Sequence, residues 1–215
     1  MFSVGPLETN GFIIEEDSDA VVIDPGDEAY RFTDILQKRQ LTLQAILLTH
    51  GHGDHIGGLE ELHRNHPEAK VMCHRLDSEM LTNPAKNLAA LIGKNIVACQ
   101  PDAYIEDGEI LTFGKLTLTA IHVPGHTRGH LVFKIGKELI AGDTVFSGGI
   151  GRWDLPGGNG NLLIQSIRAK ILTLPDDTRI YPGHGPVTTV GEERRSNPYL
   201  NPYLDPSIFS PVSFS

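Results

Sequence analysis

Residues 49–58 read Thr49-His50-Gly51-His52-Gly53-Asp54-His55-Ile56-Gly57-Gly58. They follow an apolar run, Leu43 to Leu48, that predicts a buried strand, and they lead into a segment, 56–65, that predicts an amphipathic helix. Three imidazoles and one carboxylate therefore lie on the turn where a strand ends. Zinc, iron and manganese share these ligand types, so the stretch predicts a metal site.

The spacing of these side chains divides them into two pairs. At strand-like spacing, His50 and His52 point to the same side and can hold one ion, while Asp54 and His55 turn towards a second. Glycines at 51 and 53 allow the backbone to turn at little steric cost. The alternative is a polar loop whose histidines cap the next helix or lie in solvent. Four ligand-type residues within six positions are difficult to explain in that way.

Charge and composition exclude several classes of protein. A chain of 215 residues fits one domain, and its net charge of −9 without a basic run argues against a nucleic-acid partner. The first ten residues do not resemble a signal peptide, and no apolar run approaches membrane-spanning length, so we expect no membrane association and a cytoplasmic location. Cys73 and Cys99 lie in apolar surroundings, which favours free buried thiols over a disulfide or a metal thiolate.

Strands and helices alternate in two successive halves of the chain. This order predicts an α+β fold, an αββα sandwich in which two sheets pack face to face with helices outside. Helices are expected at 28–40, 56–65 and 162–174. Residues 1–196 are predicted to form the single domain, and 197–215 a proline-rich tail that is either docked by its aromatic residues or disordered.

The H-x-H-x-D-H pattern at 50–55 is similar to the signature of the metallo-β-lactamase superfamily. Three downstream segments also resemble that family: His126 in Pro-Gly-His-Thr, Asp143 after Gly142, and His184 in Pro-Gly-His-Gly stand where the family places further metal ligands. The resemblance implies two mixed β-sheets and a hydrolase domain. It also implies two divalent ions, zinc in the first place, with iron or manganese as alternatives.

The resemblance further implies how seven ligands are shared: His50, His52 and His126 hold one ion, Asp54, His55 and His184 hold the other, and Asp143 bridges both. The two carboxylates, Asp54 and Asp143, are the candidate catalytic residues. Each ion keeps an open position, and water shared by two cations loses its proton readily. The implied reaction is attack of the resulting hydroxide on a carbonyl carbon.

Other polar residues allow two interpretations each. Asp24, in Asp-Pro-Gly, resembles the family's aspartate that supports the metal loop, or it caps the following helix. Arg152 lies in a glycine-rich stretch, 147–161, which we expect to be a mobile wall without strand structure. It either clamps a substrate carboxylate or pairs with Asp154. His122 is a candidate for supporting the ligands, and His130 is expected to pack or to line the cleft.

Among members of the family, the chain most resembles the glyoxalase II-like hydrolases, in a short single-domain branch. These enzymes cleave the thioester of S-lactoylglutathione to lactate and glutathione. Only 31 residues follow His184 (215 − 184), so the helical domain that binds glutathione in full-length glyoxalase II is expected to be absent. The expected activity is a binuclear metal-dependent thioesterase acting on S-lactoylglutathione or a related small-molecule acyl thioester. The alternative is a mononuclear iron persulfide dioxygenase-like oxidoreductase, which needs only His50, His126 and Asp143. The sequence does not indicate an oligomeric state.

Overall fold

Two mixed β-sheets form the centre of the molecule. The structure is a computed structural model that describes residues 1–201. The first sheet contains, in spatial order, β1 (Phe2–Val4), β2 (Thr9–Glu16), β3 (Asp19–Ile23), β4 (Thr42–Leu47), β5 (Lys70–Cys73) and β6 (Ala103–Tyr104). The first two pairings along this sheet are antiparallel, and the remaining three are parallel.

The second half of the chain supplies the second sheet and a separate hairpin. Its strands are β7 (Ile110–Phe113), β8 (Leu116–His122), β9 (Leu131–Ile135), β10 (Glu138–Gly142), β11 (Val145–Phe146), β12 (Gly149–Ile150), β13 (Arg179–Pro182) and β14 (Thr188–Thr189). The second sheet has the order β14-β13-β10-β9-β8-β7, and only the pairing of β10 with β13 is parallel. Strands β11 and β12 pair with each other as the hairpin.

Helices cover the outer faces of both sheets. They are α1 (Ala29–Arg39), α2 (Gly53–Ile56), α3 (Leu59–Asn65), α4 (Ser78–Thr82), α5 (Gly160–Lys170) and α6 (Val190–Ser196), with 3-10 turns at Arg75–Asp77 and Ala89–Ile92. The buried stripe of α1, with Phe32 and Leu36, packs on the first sheet. Leu163 and Ile167 of α5 pack on the second.

A third apolar layer lies between the sheets. Phe12 and Leu47 from the first sheet meet Leu118 and Phe133 from the second, and all four side chains are buried. Burying a side chain of this size stabilises the fold by about 1.5–3 kcal/mol, so the face-to-face packing of the sheets is strongly favoured. The predicted αββα sandwich is confirmed.

The predicted helix at 56–65 is broken into α2 and α3. Gly58 donates a backbone hydrogen bond to the Pro25 carbonyl over 2.8 Å, and a Cβ on Gly57 would overlap the Gly26 carbonyl oxygen. This close approach of two backbones interrupts the helix. Helix α2 therefore ends at Ile56. It begins at Gly53, before the predicted start, and it carries two of the ligand candidates on its only turn.

Two boundaries in the glycine-rich part of the chain also differ from the prediction. Helix α5 begins before residue 162, because the Asn159 side chain accepts a hydrogen bond from the Leu162 amide over 3.0 Å and caps the first turn. Within 147–161, where no strand was expected, Gly149–Ile150 forms β12. The stretch is therefore anchored to the fold through the hairpin.

The predicted tail lies mostly outside the described residues, which end at 201. Its first residues pack against the second sheet's helix: Leu200 is buried, and Arg168 donates to the Leu200 carbonyl over 3.1 Å. The domain boundary at 196 stays a prediction. None of the helices in the described part of the chain is both long and apolar enough to cross a bilayer.

Candidate metal centre

The candidate ligands all follow directly on strands. The loop that bears His50 follows β4, His126 follows β8, Asp143 follows β10, and His184 follows β13. These strands belong to both sheets, so their ends bring distant parts of the chain to one edge of the sandwich. The structure brings all seven predicted ligands together there.

The first group of ligands is a triangle of ring nitrogens. His50 Nε2 lies 3.0 Å from His52 Nδ1, His126 Nε2 lies 2.9 Å from His52 Nδ1, and the third side, between His50 and His126, is 3.3 Å. A proton on one of these nitrogens can form a hydrogen bond in only one of the three contacts. A cation at the centre of the triangle can accept the lone pairs of all three nitrogens. Ligands about 2.0–2.1 Å from a tetrahedral zinc ion lie about 3.3 Å apart, so the triangle has the size of a zinc site.

The second group lies beside the first. Asp54 Oδ2 is 3.1 Å from His184 Nε2 and 3.5 Å from His55 Nε2, and the three atoms form a set that can hold a metal ion. The Thr9 hydroxyl donates to the same Asp54 oxygen over 3.1 Å and fixes the carboxylate. Residue 54 therefore belongs to the second group, as its position after the turn predicted.

Asp143 lies between the two groups. Its Oδ1 is 3.3 Å from His55 Nε2, and its Oδ2 is 3.6 Å from both His126 Nε2 and His184 Nε2. Within the described residues, neither Asp143 Oδ1 nor His55 Nε2 has a hydrogen-bond partner, although both atoms are buried. Buried polar atoms without partners are costly unless a cation satisfies them, so this donor set fits a metal centre.

Hydrogen bonds on the far side of the rings orient the ligand histidines. Four of the five use their remaining ring nitrogen in this way: His50 with Thr49 Oγ1 (3.0 Å), His55 with Asp24 Oδ2 (2.8 Å), His126 with the Arg152 carbonyl (2.7 Å) and His184 with the Leu7 carbonyl (3.0 Å). Such contacts fix the tautomer and the direction of the metal-facing lone pair.

Asp24 supports the metal loop and does not cap a helix. Its carboxylate also accepts hydrogen bonds from the Thr49 amide (2.8 Å) and the Thr49 hydroxyl (2.6 Å), so it joins the end of β4 to His55. The Glu28 amide bonds to Asp27 instead. Asp24 has a φ of 51°, a strained conformation that aspartate tolerates better than most residues and that is typical of functional sites.

Two supporting residues were not predicted. Asp77 is 2% exposed and accepts hydrogen bonds from the Thr127 hydroxyl (2.5 Å) and the Gly129 amide (2.7 Å). It thereby holds the loop that carries His126, and its backbone packs closely against Gly51, between His50 and His52. His130 Nε2 accepts from the Asp143 amide over 3.0 Å, so it holds the aspartate that lies between the two groups. A single aspartate in a helical stretch gave no sequence signal for this role.

The remaining candidates take other positions. Arg152 forms a bidentate ion pair with Asp154, at 2.9 and 3.0 Å, and also borders the cleft described below. Its role in substrate binding stays a prediction. His122 does not reach the ligands; it stacks on His74, with ring centroids 4.2 Å apart, and its Nε2 contacts the Arg128 carbonyl.

Burial and nearby charges shift the pKa values of the ligands in opposite directions. Burial, with neighbouring histidines, lowers the pKa of His50 well below its ordinary value and that of His52 to about 3. Burial opposes ionisation of Asp54, but His55 and His184 outweigh it and lower the pKa of that carboxyl to about 2. These ligands are therefore deprotonated at neutral pH, as metal binding requires. The carboxylates raise the pKa of His55 and His184 despite burial, so an ion in the second group displaces protons.

A cleft of about 550 Å³ opens over the ligands. His52, Asp54, His126, Asp143 and His184 form its floor. A cleft of this volume suits a small-molecule ligand. The cysteines lie elsewhere: both thiols are free, and neither belongs to a metal-ligand group among residues 1–201.

Comparisons with known proteins agree with this geometry. Residues 4–184 match the family model of the metallo-beta-lactamase superfamily. The chain is 40% identical, over 88% of its length and 91% of the relative's, to hydroxyacylglutathione hydrolase GloC of Haemophilus influenzae. Two crystal structures are each 38% identical: the BLEG-1 B3 metallo-beta-lactamase (TM-score 0.88, covering 93% of this chain and 98% of that one) and TTHA1623 in a di-iron-bound form (TM-score 0.83, covering 92% and 98%).

The names of these relatives give two different activities, and one of them specifies two iron ions, so the comparisons fix the family and leave the substrate and the metal to be tested. The match of the family model extends from the first strand to the last candidate ligand, His184. Together with the αββα sandwich and the His/Asp groups at its edge, this places the function among metal-dependent hydrolases. The chain belongs to the metallo-beta-lactamase superfamily.

Proposed function

We propose that the protein is a binuclear metal-dependent thioester hydrolase of the glyoxalase II type, which cleaves S-lactoylglutathione or a related acyl thioester. The observation that carries the proposal is the position of the Asp143 carboxylate between the two groups. It lies within 3.6 Å of a ring nitrogen of His126 in the first group and of ring nitrogens of His55 and His184 in the second. A carboxylate shared in this way is expected between two ions. The named activity of the Haemophilus relative supports the choice of thioester.

The chain's own residues prepare the site in three ways. Seven side chains provide the donor set, and the hydrogen bonds to Asp24, Leu7 and Arg152 hold the rings in place. The candidate ligands line the cleft, so a substrate bound there can bring its carbonyl group to them. A pair of divalent ions held there would acidify water and polarise the carbonyl. In the overall reaction, a water oxygen bonds to the acyl carbon and the C–S bond breaks with its electron pair on sulfur. The products are an acid and a thiol.

The proposal is tested with a substrate panel on protein of measured metal content. S-lactoylglutathione and other acyl thioesters are supplied, and thiol release is followed together with oxygen consumption in the presence of glutathione persulfide. We expect metal-dependent thiol release and no oxygen uptake. Oxygen uptake at enzymatic rates would favour the persulfide dioxygenase alternative, although the second ligand group supports a site for two ions.

A further inference from the structure

The rim of the cleft is apolar. Six apolar residues surround the opening above the ligand floor, and we refer to them as the apolar rim: Leu7, Leu88, Leu91, Ile92, Phe146 and Leu155. Leu91 is 70% exposed and Leu7 is 49% exposed. Large apolar side chains grouped at the mouth of a cleft are typical of ligand-binding surfaces.

The part of the rim formed by 88–92 is held firmly against the metal loop. The Asn87 side chain donates to the Met80 and Ile96 carbonyls, at 3.0 and 2.9 Å, and accepts from the Ala89 amide. The Gly53 amide, in the middle of the metal loop, donates to the Asn87 carbonyl over 2.7 Å. The two rim leucines of this segment, Leu88 and Leu91, are therefore fixed relative to the ligand floor.

Leu88 is held in a conformation that leucine rarely adopts. Its φ is 61°, in the left-handed region, which costs of order 1–3 kcal/mol for a residue with a side chain. Glycine at this position would avoid that cost. The chain instead has leucine, whose apolar side chain lines the cleft. The position is consistent with a rim that contacts a ligand.

The cleft offers little free positive charge to an anionic substrate. Arg152 is the only lysine or arginine among the described residues that line the cleft, and Asp154 already engages its guanidinium through two hydrogen bonds. Two lysines that flank the rim segment in sequence are also paired, Lys86 with Glu79 and Lys94 with Asp27. A ligand carboxylate would have to compete with these carboxylates, in a chain with a net charge of −9.

We propose that the apolar rim binds an uncharged aliphatic group of the substrate, attached on either side of the scissile thioester. The inference rests on the proposed thioester hydrolysis and narrows its substrate class. The preferred substrates are thioesters with an aliphatic chain, rather than those whose only large group is glutathione with its two carboxylates. Burial of the chain against Leu91 and its neighbours provides the binding free energy.

Two substrate series test this class on metal-loaded protein. In one, the neutral thiol N-acetylcysteamine carries acetyl, butanoyl or hexanoyl groups; in the other, a fixed acyl group is carried by glutathione, N-acetylcysteamine or butanethiol. In at least one series we expect kcat/KM to rise about fourfold for each methylene group that the rim buries. We also expect the best neutral thioester to exceed S-lactoylglutathione.

A pair of matched variants assigns the effect to the rim. Leu91→Gln changes an exposed side chain at the cleft, and Ile110→Gln changes one of similar exposure, 66%, on β7 away from the cleft. We expect Leu91→Gln to lower kcat/KM about fivefold for the longest-chain thioester and by a smaller factor for the acetyl thioester, so that the dependence on chain length becomes weaker. Ile110→Gln should alter neither.

The outcomes separate the two proposals. If S-lactoylglutathione is hydrolysed better than every neutral thioester, and Leu91→Gln has no effect on chain-length dependence, the rim inference is overturned while the thioesterase stands. If metal-loaded protein hydrolyses no thioester at all, both are overturned.

Discussion

The Asp77 carboxylate accepts a hydrogen bond from the Thr127 hydroxyl over 2.5 Å, and this bond joins the 3-10 turn at Arg75–Asp77 to the loop that carries His126. Thr127 follows His126 directly, and Gly51, which packs closely against the Asp77 backbone, lies between His50 and His52. Burial raises the pKa of Asp77, although the hydrogen bonds from Thr127 and Gly129 oppose the shift. One buried residue thus holds the loop that carries His126 beside the loop that carries His50 and His52.

We predict that Asp77→Asn weakens metal binding in the first group by roughly tenfold, because outer hydrogen-bond partners of metal ligands contribute about that much or more to affinity. The side-chain NH2 of asparagine is a donor, so it cannot accept the hydrogen bond that one of the Asp77 oxygens now accepts from Thr127 or Gly129. Titration of the metal-free protein with cobalt(II), followed by its visible absorption, measures the affinity.

Glu193→Gln is the matched control for Asp77→Asn. Glu193 is fully buried and accepts hydrogen bonds from the Thr188 hydroxyl (2.6 Å), the Gly148 amide (3.0 Å) and the Asn197 side chain (2.7 Å); none of these three partners lies in a loop that carries the first group. Both variants should lower the free energy of unfolding by about 1–3 kcal/mol. Equal cobalt affinities for the two variants would contradict a positioning role for Asp77.

We predict that Asp24→Asn weakens the second group by about 10–100-fold. Asparagine tolerates the φ of 51° as well as aspartate does, so the backbone is unchanged. However, one amide oxygen cannot accept from His55 and from both donors of Thr49. Metal content after dialysis against a weak chelator should fall from two ions towards one. Asp17→Asn, at an exposed position with a similar φ of 54°, should leave the content unchanged, and retention of both ions by Asp24→Asn would refute the prediction.

Gly183→Ala tests how tightly the bridging aspartate is enclosed. A Cβ at this position would overlap Asp143 Oδ1 and approach His55 Cε1 to 2.7 Å. We expect the variant to fold with reduced metal content and with kcat lowered at least tenfold. Gly149→Ala is the control, since the nearest atom to its added Cβ is 3.9 Å away. Equal activity in the two variants would show that the Asp143 carboxylate has room to move.

Both thiols should be unreactive in the folded protein. Burial raises the pKa of Cys73 to about 12 and that of Cys99 to about 11. Because thiolate is the reactive form, its fraction at pH 8 is about one in ten thousand for Cys73 and about one in a thousand for Cys99, and it rises tenfold for each pH unit. Reaction with Ellman's reagent should be slow at pH 8 and become fast in denaturant. Rapid modification of native protein with loss of metal would indicate a thiolate ligand.

The fold and the ligand set could be predicted because their signals are local. The apolar run before residue 49 and the polar cluster after it mark the end of a strand, and the later motifs at 126, 143 and 184 follow strands in the same way. The split between residues 50 and 52 on one side and 54 and 55 on the other followed from spacing alone. Whether those residues act as the resemblance implies stays a prediction until metal is measured.

The features that could not be predicted from the sequence depend on tertiary contacts between distant parts of the chain. The break between α2 and α3 arises where Gly57 and Gly58 meet the backbone of 25–27, more than 30 positions earlier in the sequence. Asp77 meets Thr127, 50 positions later. No periodicity or spacing within 75–82 indicates that Asp77 bonds to Thr127. His130 was expected to pack or line the cleft, and its hydrogen bond to the Asp143 amide became apparent only when β9 and β10 were placed side by side.

Metal stoichiometry at full activity tests the central claim most directly. Metal-free protein is titrated with zinc, and in parallel with iron(II) or manganese(II), while bound metal and thioester hydrolysis are measured on the same samples. The two ligand groups that share Asp143 predict that hydrolysis reaches its plateau at two ions per chain and disappears when a chelator removes them. Full hydrolysis by protein that holds one ion, or none, would contradict the binuclear hydrolase.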